Sequence, residues 1–583
     1  MKRYLNYSTV IILSLLSIIT VNNYAQTPHI EYSTYIGGRS WDYGHSITVD
    51  DSGYAYIAGQ ANSNNYPVTI SAFDRTENGS CDILVTKLNR SGSGLIYSTF
   101  IGGSGIDDTR KVFVDKTGCV FITGSTKSPN FPTTANALQG NAEGYFLKLG
   151  AQGDSLKYSS RWAGGERVLL DGEGNVIILG GTNSGSFPTT ENAYCRTLAG
   201  GNDLFIAKID INTNTIIFST LIGGSGDEWA SSMTLDSQNN IIIAGQTTSE
   251  NYPEKGNTFA TFNSDKSNVF VTKLKSDGTG LIYSTLVGGN DNDWPFDVAV
   301  DLNNNVFVTG GTQSGNFPIS NLAFDTSYSG GQDAFLFKLS ADGSRLIYST
   351  FIGGSDKDGG RGVVVDKEGK AYVTGCTRST NFPVTSDAFD KTYKGGGTDQ
   401  WAWGDPFLLV MNPEGSQVIY STYFGGSNDE EAYGIAMDNR GDIYLSGVTS
   451  SLNFPTTQGA YDRTLSGGGN IYVTKFSFNP QTNIKTSSVH PLKFELNQNY
   501  PNPFNPTTTI NYSISKLSKV QLNIYNVLGQ KIKTLVNSFQ NPGEYSFLWD
   551  ATDNKNNIVS SGVYIYSLVT NGVNFQKKMV LMQ

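Results

Sequence analysis

One phrase, Tyr-Ser-Thr-x-x-Gly-Gly, returns with variants seven times along this chain, beginning at Tyr32, Tyr97, Tyr158, Phe218, Tyr283, Tyr348 and Tyr420. Counted from its second Gly (Gly38, Gly103, Gly165, Gly224, Gly289, Gly354, Gly426), an Asp follows at +12 in six copies: Asp50, Asp115, Asp236, Asp301, Asp366 and Asp438. A Gly follows at +21 and a Pro at +29 in the same six copies, and the third copy keeps all three as Asp171, Gly180 and Pro188 after a six-residue deletion. A register held this tightly is that of a repeat architecture, in which each unit is one supersecondary element that cannot cover its own apolar faces alone.

Each unit holds four short runs rich in β-branched and aromatic residues. In the fifth copy they are Asp297-Val-Ala-Val-Asp301, Val306-Phe-Val-Thr309, Ala334-Phe-Leu-Phe-Lys-Leu339 and Leu346-Ile-Tyr-Ser-Thr-Phe351. Leu302-Asn-Asn-Asn305 and Ser340-Ala-Asp-Gly-Ser344 separate them as hairpin turns, where Asn, Asp and Gly tolerate a tight reversal. The composition agrees: Gly is 66 of 583 residues and charged residues are only 16 %, which disfavours helical bundles and disorder. The pattern predicts an all-β chain, a seven-bladed β-propeller of four-stranded antiparallel blades followed by a small C-terminal β-sandwich. The segment from Tyr32 to Ile36 is expected to supply the outermost strand of the last blade, closing the ring and removing an open sheet edge.

The units resemble the bacterial SBBP (seven-bladed beta-propeller) repeat, through Leu346-Ile-Tyr-Ser-Thr-Phe-Ile-Gly-Gly354, Asp358, Val363-Val-Val-Asp366, Ala371-Tyr-Val-Thr-Gly375 and Asn381-Phe-Pro383. The resemblance runs from 32 to about 478 and implies a fold, with little about activity.

The ends read differently. Met1-Lys2-Arg3 precedes an apolar run from Val10 to Val21 and a small residue at Ala25, the layout of a cleaved secretory signal over 1–25 and too short to span a bilayer. The propeller is expected over 26–478, a patternless polar linker over 479–493, and a β-sandwich over 494–583, where Val520, Leu522 and Ile524 alternate as in a half-buried strand. Tyr500-Pro501-Asn502-Pro503-Phe504-Asn505-Pro506 opens this last block and Lys577-Lys578-Met579 stands near its end. Together they resemble the type A sorting domain of the bacterial type IX secretion system. That resemblance implies Sec export, passage across the outer membrane, the secretion machinery as a partner, and anchoring at the cell surface or release.

The net charge is -10, and residues 484–583 carry nine Lys against four acids, so the body is more acidic than the whole. Cation-poor surfaces of this kind exclude nucleic acid as a partner class. The three histidines (His29, His45, His490) come without a GxSxG elbow, HExxH or P-loop, and the four cysteines form no CxxC, so no catalytic residue is assigned and the cysteines read as buried free thiols. Acids recur instead at +4: Asp42, Asp107, Glu228, Asp293, Asp358 and Glu430. They read either as an architectural device or as a carboxylate ring; calcium would suit such oxygens, but Asp301-Leu-Asn-Asn-Asn305 lacks the loop Gly, so no cofactor is required. Trp41, Trp229 and Trp294 lie beside them, and a seven-residue insertion in the sixth copy adds Trp401 and Trp403. Tryptophans beside carboxylates can stack on sugar rings and hydrogen-bond their hydroxyls. The expectation is a monomeric, secreted or surface-attached binding module for a glycan or protein. A glycan hydrolase or lyase, and an adhesin or surface-layer component, are the alternatives.

Overall fold

The computed structural model describes residues 28–582 except 139, 141, 163–164, 257–258, 261–265, 397–403, 479–493, 500, 517, 541–542, 556 and 571. The expected signal segment and linker, Trp401, Trp403 and Tyr500 therefore lie outside the described residues. The chain divides into two compact units between Asn479 and Pro480. Among the described residues there is no helix, and hence none long and apolar enough to cross a membrane.

Among the described residues the first unit holds seven four-stranded antiparallel sheets, six of them each from one stretch of chain, and one of these carries an extra two-residue strand at its outer edge. The fifth sheet runs Asp293–Val300, Val306–Thr312, Asp333–Leu339, Leu346–Ile352 from the inside outward. The first strand of every sheet packs on the first strand of the next, from sheet one round to sheet seven and back, so the sheets stand about one axis. The seventh sheet takes three strands from its own repeat, Glu430–Met437, Ile443–Thr449 and Asn470–Ser477, and its fourth from the start of the chain: His29–Ile36 pairs antiparallel with Asn470–Ser477. The closure read from the sequence is present.

The innermost strands start earlier than the β-branched runs imply. In the fifth sheet the strand begins at Asp293 rather than Asp297, with a bulge between Pro295 and Asp297, and Asp293 faces Thr312 across the pair. The reason is the acid itself: its carboxylate accepts the Thr312 hydroxyl at 2.5 Å and the Gly289 N–H at 2.8 Å, which holds the Gly-Gly segment against the sheet.

Most of what repeats is packing. The aromatic residue before each +29 Pro folds inward onto its own sheet, as Phe317 on Phe335 with ring centroids 4.7 Å apart, Phe382 on Phe407 at 4.5 Å and Phe454 on Tyr472 at 4.8 Å. In five copies the repeated aromatic of the outer strand is buried beneath the Gly of the next sheet's last hairpin: a Cβ on Gly343 would lie 2.5 Å from the Tyr283 ring, and Gly343 has φ +71°. Only Gly satisfies both that close approach and the left-handed backbone. In five sheets the +12 Asp caps its own turn and takes an ion pair from a Lys of the third strand, as Asp301 does with Lys338 at 3.0 Å and Asp236 with Lys273 at 2.8 Å. Burial alone would raise the Asp301 carboxyl, but hydrogen bonds from Asn305 and Lys338 outweigh it and hold it below the ordinary range. The 301–305 segment is thus a capped hairpin turn, as its missing loop Gly implies. The four cysteines are unpaired; Cys81 and Cys376 are buried as expected, whereas Cys119 and Cys195 are only half-buried.

The second unit packs a three-stranded sheet (Glu495–Leu496, Thr508–Ile514, Gly543–Trp549) with a four-stranded one (Lys531–Gln540, Ser518–Asn526, Gly562–Thr570, Val573–Leu581) around Trp549, Tyr512, Tyr566 and Met579.

Candidate ligand-binding site

The six +4 acids do not face solvent. Asp42, Asp107, Glu228 and Asp293 are 0 % exposed and Asp358 and Glu430 are 1 %. Each accepts the N–H of its own repeat's second Gly, from Gly38 to Asp42 at 2.7 Å through Gly426 to Glu430 at 3.0 Å. In five of the six a Thr that ends the neighbouring strand and a Ser two residues on complete the set, as Thr247 and Ser249 do for Glu228, while Asp42 faces Ala61. These carboxylates are consumed by the framework, and nothing in their surroundings leaves room for a sugar. Among the described residues no group of three or more His, Cys, Asp or Glu is arranged to hold a metal ion.

The tryptophans fare differently. Trp229 and Trp294 are the second residues of adjacent innermost strands, immediately after a buried acid, rather than residues of loops. Trp229 is 43 % exposed, Trp41 is 40 % exposed, and Trp294 is half-buried. Trp41 stacks on Tyr43 with centroids 6.0 Å apart, Tyr43 leans on His45 at 5.8 Å, and His45 meets Tyr433 edge-on at 5.3 Å. An aromatic run thus descends from the long-loop rim into the axis and crosses from the first sheet to the seventh.

Charged groups line the same end. His45 Nδ1 lies 3.3 Å from Asp108 Oδ1 and 3.0 Å from the Thr109 carbonyl. Arg110 reaches Asp108 at 3.6 Å and Glu166 at 3.6 Å. Burial would raise Asp108, yet the hydrogen bond and charge of His45 and the charge of Arg110 hold it low, so it stays an anion. On the far side the Arg361 guanidinium sits 4.3 Å from the Phe296 ring centroid, and the Tyr433 hydroxyl donates to the Glu431 carboxylate. Among the described residues no Ser or Thr hydroxyl stands within hydrogen-bond reach of His45, so the nucleophile-and-base arrangement of acyl transfer is absent there.

Three of the five expected tryptophans therefore stand at the axial mouth, while the expected acids do not. The charged partners were missed. Their signal was the +7 position from the repeat Gly, which reads His45, Arg110, Ser231, Phe296, Arg361 and Tyr433, with Glu166 in the shortened copy. No residue type holds that position as the framework residues hold theirs.

In the second unit the two halves of the expected sorting motif are joined. Phe504 is buried 5.6 Å from Trp549, its N–H donates to the Val580 carbonyl at 3.0 Å, and the Met582 N–H returns to the Phe504 carbonyl at 2.9 Å. Asn502 accepts the Val580 N–H at 2.9 Å, while Pro501, Pro503, Asn505, Pro506 and Lys578 are exposed and Lys577 is half-buried.

Comparison with known families finds the beta-propeller repeat SBBP at 31–67, 282–318, 347–383 and 419–455, and the FlgD Ig-like domain at 505–572. The chain thus contains SBBP repeats, and its tail is an Ig-like domain. No curated protein matches the sequence. Among solved structures, a protein of unknown function from Dyadobacter fermentans is 11 % identical, over 78 % of this chain and 100 % of that one, with TM-score 0.39. PorZ, described as an essential bacterial surface component of the type-IX secretion system of Porphyromonas gingivalis, is 14 % identical over 94 % and 75 %, with TM-score 0.29. BamB from Moraxella catarrhalis is 13 % identical over 77 % and 99 %, with TM-score 0.33. Likenesses this distant say nothing about what the chain binds.

Proposed function

We propose that the propeller is an exported binding module, held at the cell surface or released, whose axial mouth on the long-loop face takes an extracellular glycan. The observation that carries this reading is the convergence of Trp41, Tyr43, His45 and Tyr433 with Asp108, Arg110, Glu166 and Glu431 at one end of the axis. Half-exposed rings offer flat apolar faces to sugar C–H groups, and the charged groups beside them are donors and acceptors for hydroxyls. Binding is favoured over hydrolysis because the three acids there are already engaged, Asp108 by His45 and Arg110, Glu166 by Arg110 and Glu431 by Tyr433. A hydrolytic pair needs one carboxyl free to give a proton and one free to attack or activate water. The export route rests on the motif of the second unit, whose opening and closing residues meet in space.

The test is a retention screen of the full chain on soluble and insoluble glycans, repeated with Trp229→Ala/Trp294→Ala. Retention without new reducing ends is expected, with the double variant bound about tenfold more weakly at an unchanged melting temperature. New reducing ends would favour the hydrolase or lyase reading; retention untouched by the variant would remove this mouth as the site.

A further inference from the structure

A different cavity, of about 570 Å3, opens at the other end of the axis, on the face that carries the tight turns 366–369 and 438–441. That volume lies within the range of small-molecule sites, about 300–1,000 Å3. Its walls carry an aliphatic band, with Met233, Val300, Val363, Val365, Ile435 and Met437 contributed by four sheets, beneath a charged rim at 366–368 and 438–440. Its inner end is polar: Lys111 from the second sheet stands there with Ser232 and Asp297.

The charges at that level do not balance. Both Asp297 oxygens are engaged, one by the Ser232 hydroxyl at 2.7 Å and the other by the Val363 N–H at 3.1 Å. Among the described residues no carboxylate stands within ion-pair distance of the Lys111 ammonium. The neighbouring Arg167 donates to the Glu166 and Phe296 carbonyls but keeps a buried Nε with no partner. Arg167 has the Glu166 carboxylate as well as Asp297 acting on it, whereas Lys111 has Asp297 alone. Burial depresses Lys111, Asp297 opposes that, and Arg167 adds to it, the behaviour of a cation short of an anion.

We propose that this cavity binds a single-chain organic acid, its hydrocarbon in the aliphatic barrel and its carboxylate on the Lys111 ammonium. A single carboxylate is matched to the floor because Lys111 is the cation there, while the rim carries both signs, Asp366, Glu368 and Asp438 with Lys367 and Arg440, and Arg440 is held by Asp438 at 3.0 Å. The apolar walls supply affinity in proportion to chain length, and the charge-assisted contact fixes direction. This site is independent of the glycan reading, since the two ends draw on different positions of the innermost strands.

Calorimetric titration of the full chain with sodium decanoate tests it, with sodium acetate and decanol as comparators. Decanoate should bind saturably at one per chain, acetate should not bind, and decanol should bind at least tenfold more weakly. Lys111→Met should cost decanoate about tenfold. The comparison of decanoate with decanol needs no variant, so it decides even if Lys111→Met does not fold. Absence of decanoate binding, decanol bound as tightly, or a folded Lys111→Met with undiminished affinity would each overturn the proposal.

Discussion

Asp405 and Glu430 meet behind Gly425, with Asp405 Oδ1 3.1 Å and Glu430 Oε2 2.8 Å from the point a Cβ would occupy there. Asp333 with Asp358 at Gly353, Asp82 with Asp107 at Gly102, and Asp203 with Glu228 at Gly223 repeat the arrangement. A side chain in place of that first Gly would drive into both carboxyls, which explains why the Gly-Gly pair recurs. Burial is the leading cause that lifts Asp405 to about 8, Glu430, Asp333 and Asp293 to about 7, and Asp358 and Asp82 to about 6, with hydrogen bonds pulling down and nearby carboxylates such as Glu430 on Asp405 pushing up. Between the unfolded values near 4 and these folded ones, the native protein binds protons that the unfolded chain has released. Stability therefore falls as pH rises through that window. The melting temperature should be higher at pH 5 than at pH 8. Sheets four and seven already carry Asn268 and Asn470 at the corresponding place. Asp405→Asn copies them and should stabilise the protein at pH 8 by about 2 kcal/mol while flattening the slope. Thermal unfolding of both proteins at pH 5, 6.5 and 8 reads this directly; an unchanged slope in the variant would refute proton retention at the junction.

At the scale of elements, the closing strand His29–Ile36 does what no other strand can. It buries Tyr32, Tyr35 and Ile36, bonds Ser33 to Thr474 at 2.8 Å, and pairs Glu31 with the buried Lys475 at 2.5 Å. Three large side chains at about 1.5–3 kcal/mol each match the whole net stability of an ordinary domain. Deleting 29–36 should abolish cooperative unfolding, and a peptide spanning 28–38 added in trans should restore it; a deletion mutant that melts like the parent would deny the closure its role. This strand was legible because its Tyr-Ser-Thr phrase matches the outermost strand of the other repeats. The start of each innermost strand was not: Asp293-Trp-Pro reads as loop chemistry, and only the bulge and the Thr312 hydroxyl make it a strand. Of the two readings of the +4 acids, the hydrogen bonds from the Gly N–H groups fit the architectural one. Repetition identifies framework residues well, whereas Lys111, Arg167 and Asp297 occur once each at +8 and acquire meaning only when the ring brings distant repeats to one axis.

The whole molecule has two separate sets of cores. The cluster around Trp549 draws only on residues 496–581, and the clusters between the propeller sheets draw only on residues before 479. Among the described residues each unit closes its own apolar clusters. A chain ending at 478 should thus unfold at the temperature and with the cooperativity of the propeller transition in the full protein, as scanning calorimetry would show. Within the tail, the joining of Phe504 to Val580 and Met582 makes the motif one surface rather than two distant peptides. A recognition event that reads that surface should fail when either side is altered. In a host with a type IX system, Phe504→Ala and truncation of 577–583 should both retain the propeller in the periplasm, while the parent reaches the medium or the cell surface without residues 490–583. Mass spectrometry of the extracellular form decides: an intact C-terminus on exported protein would make the Ig-like domain a resident part of the mature molecule and end the sorting reading.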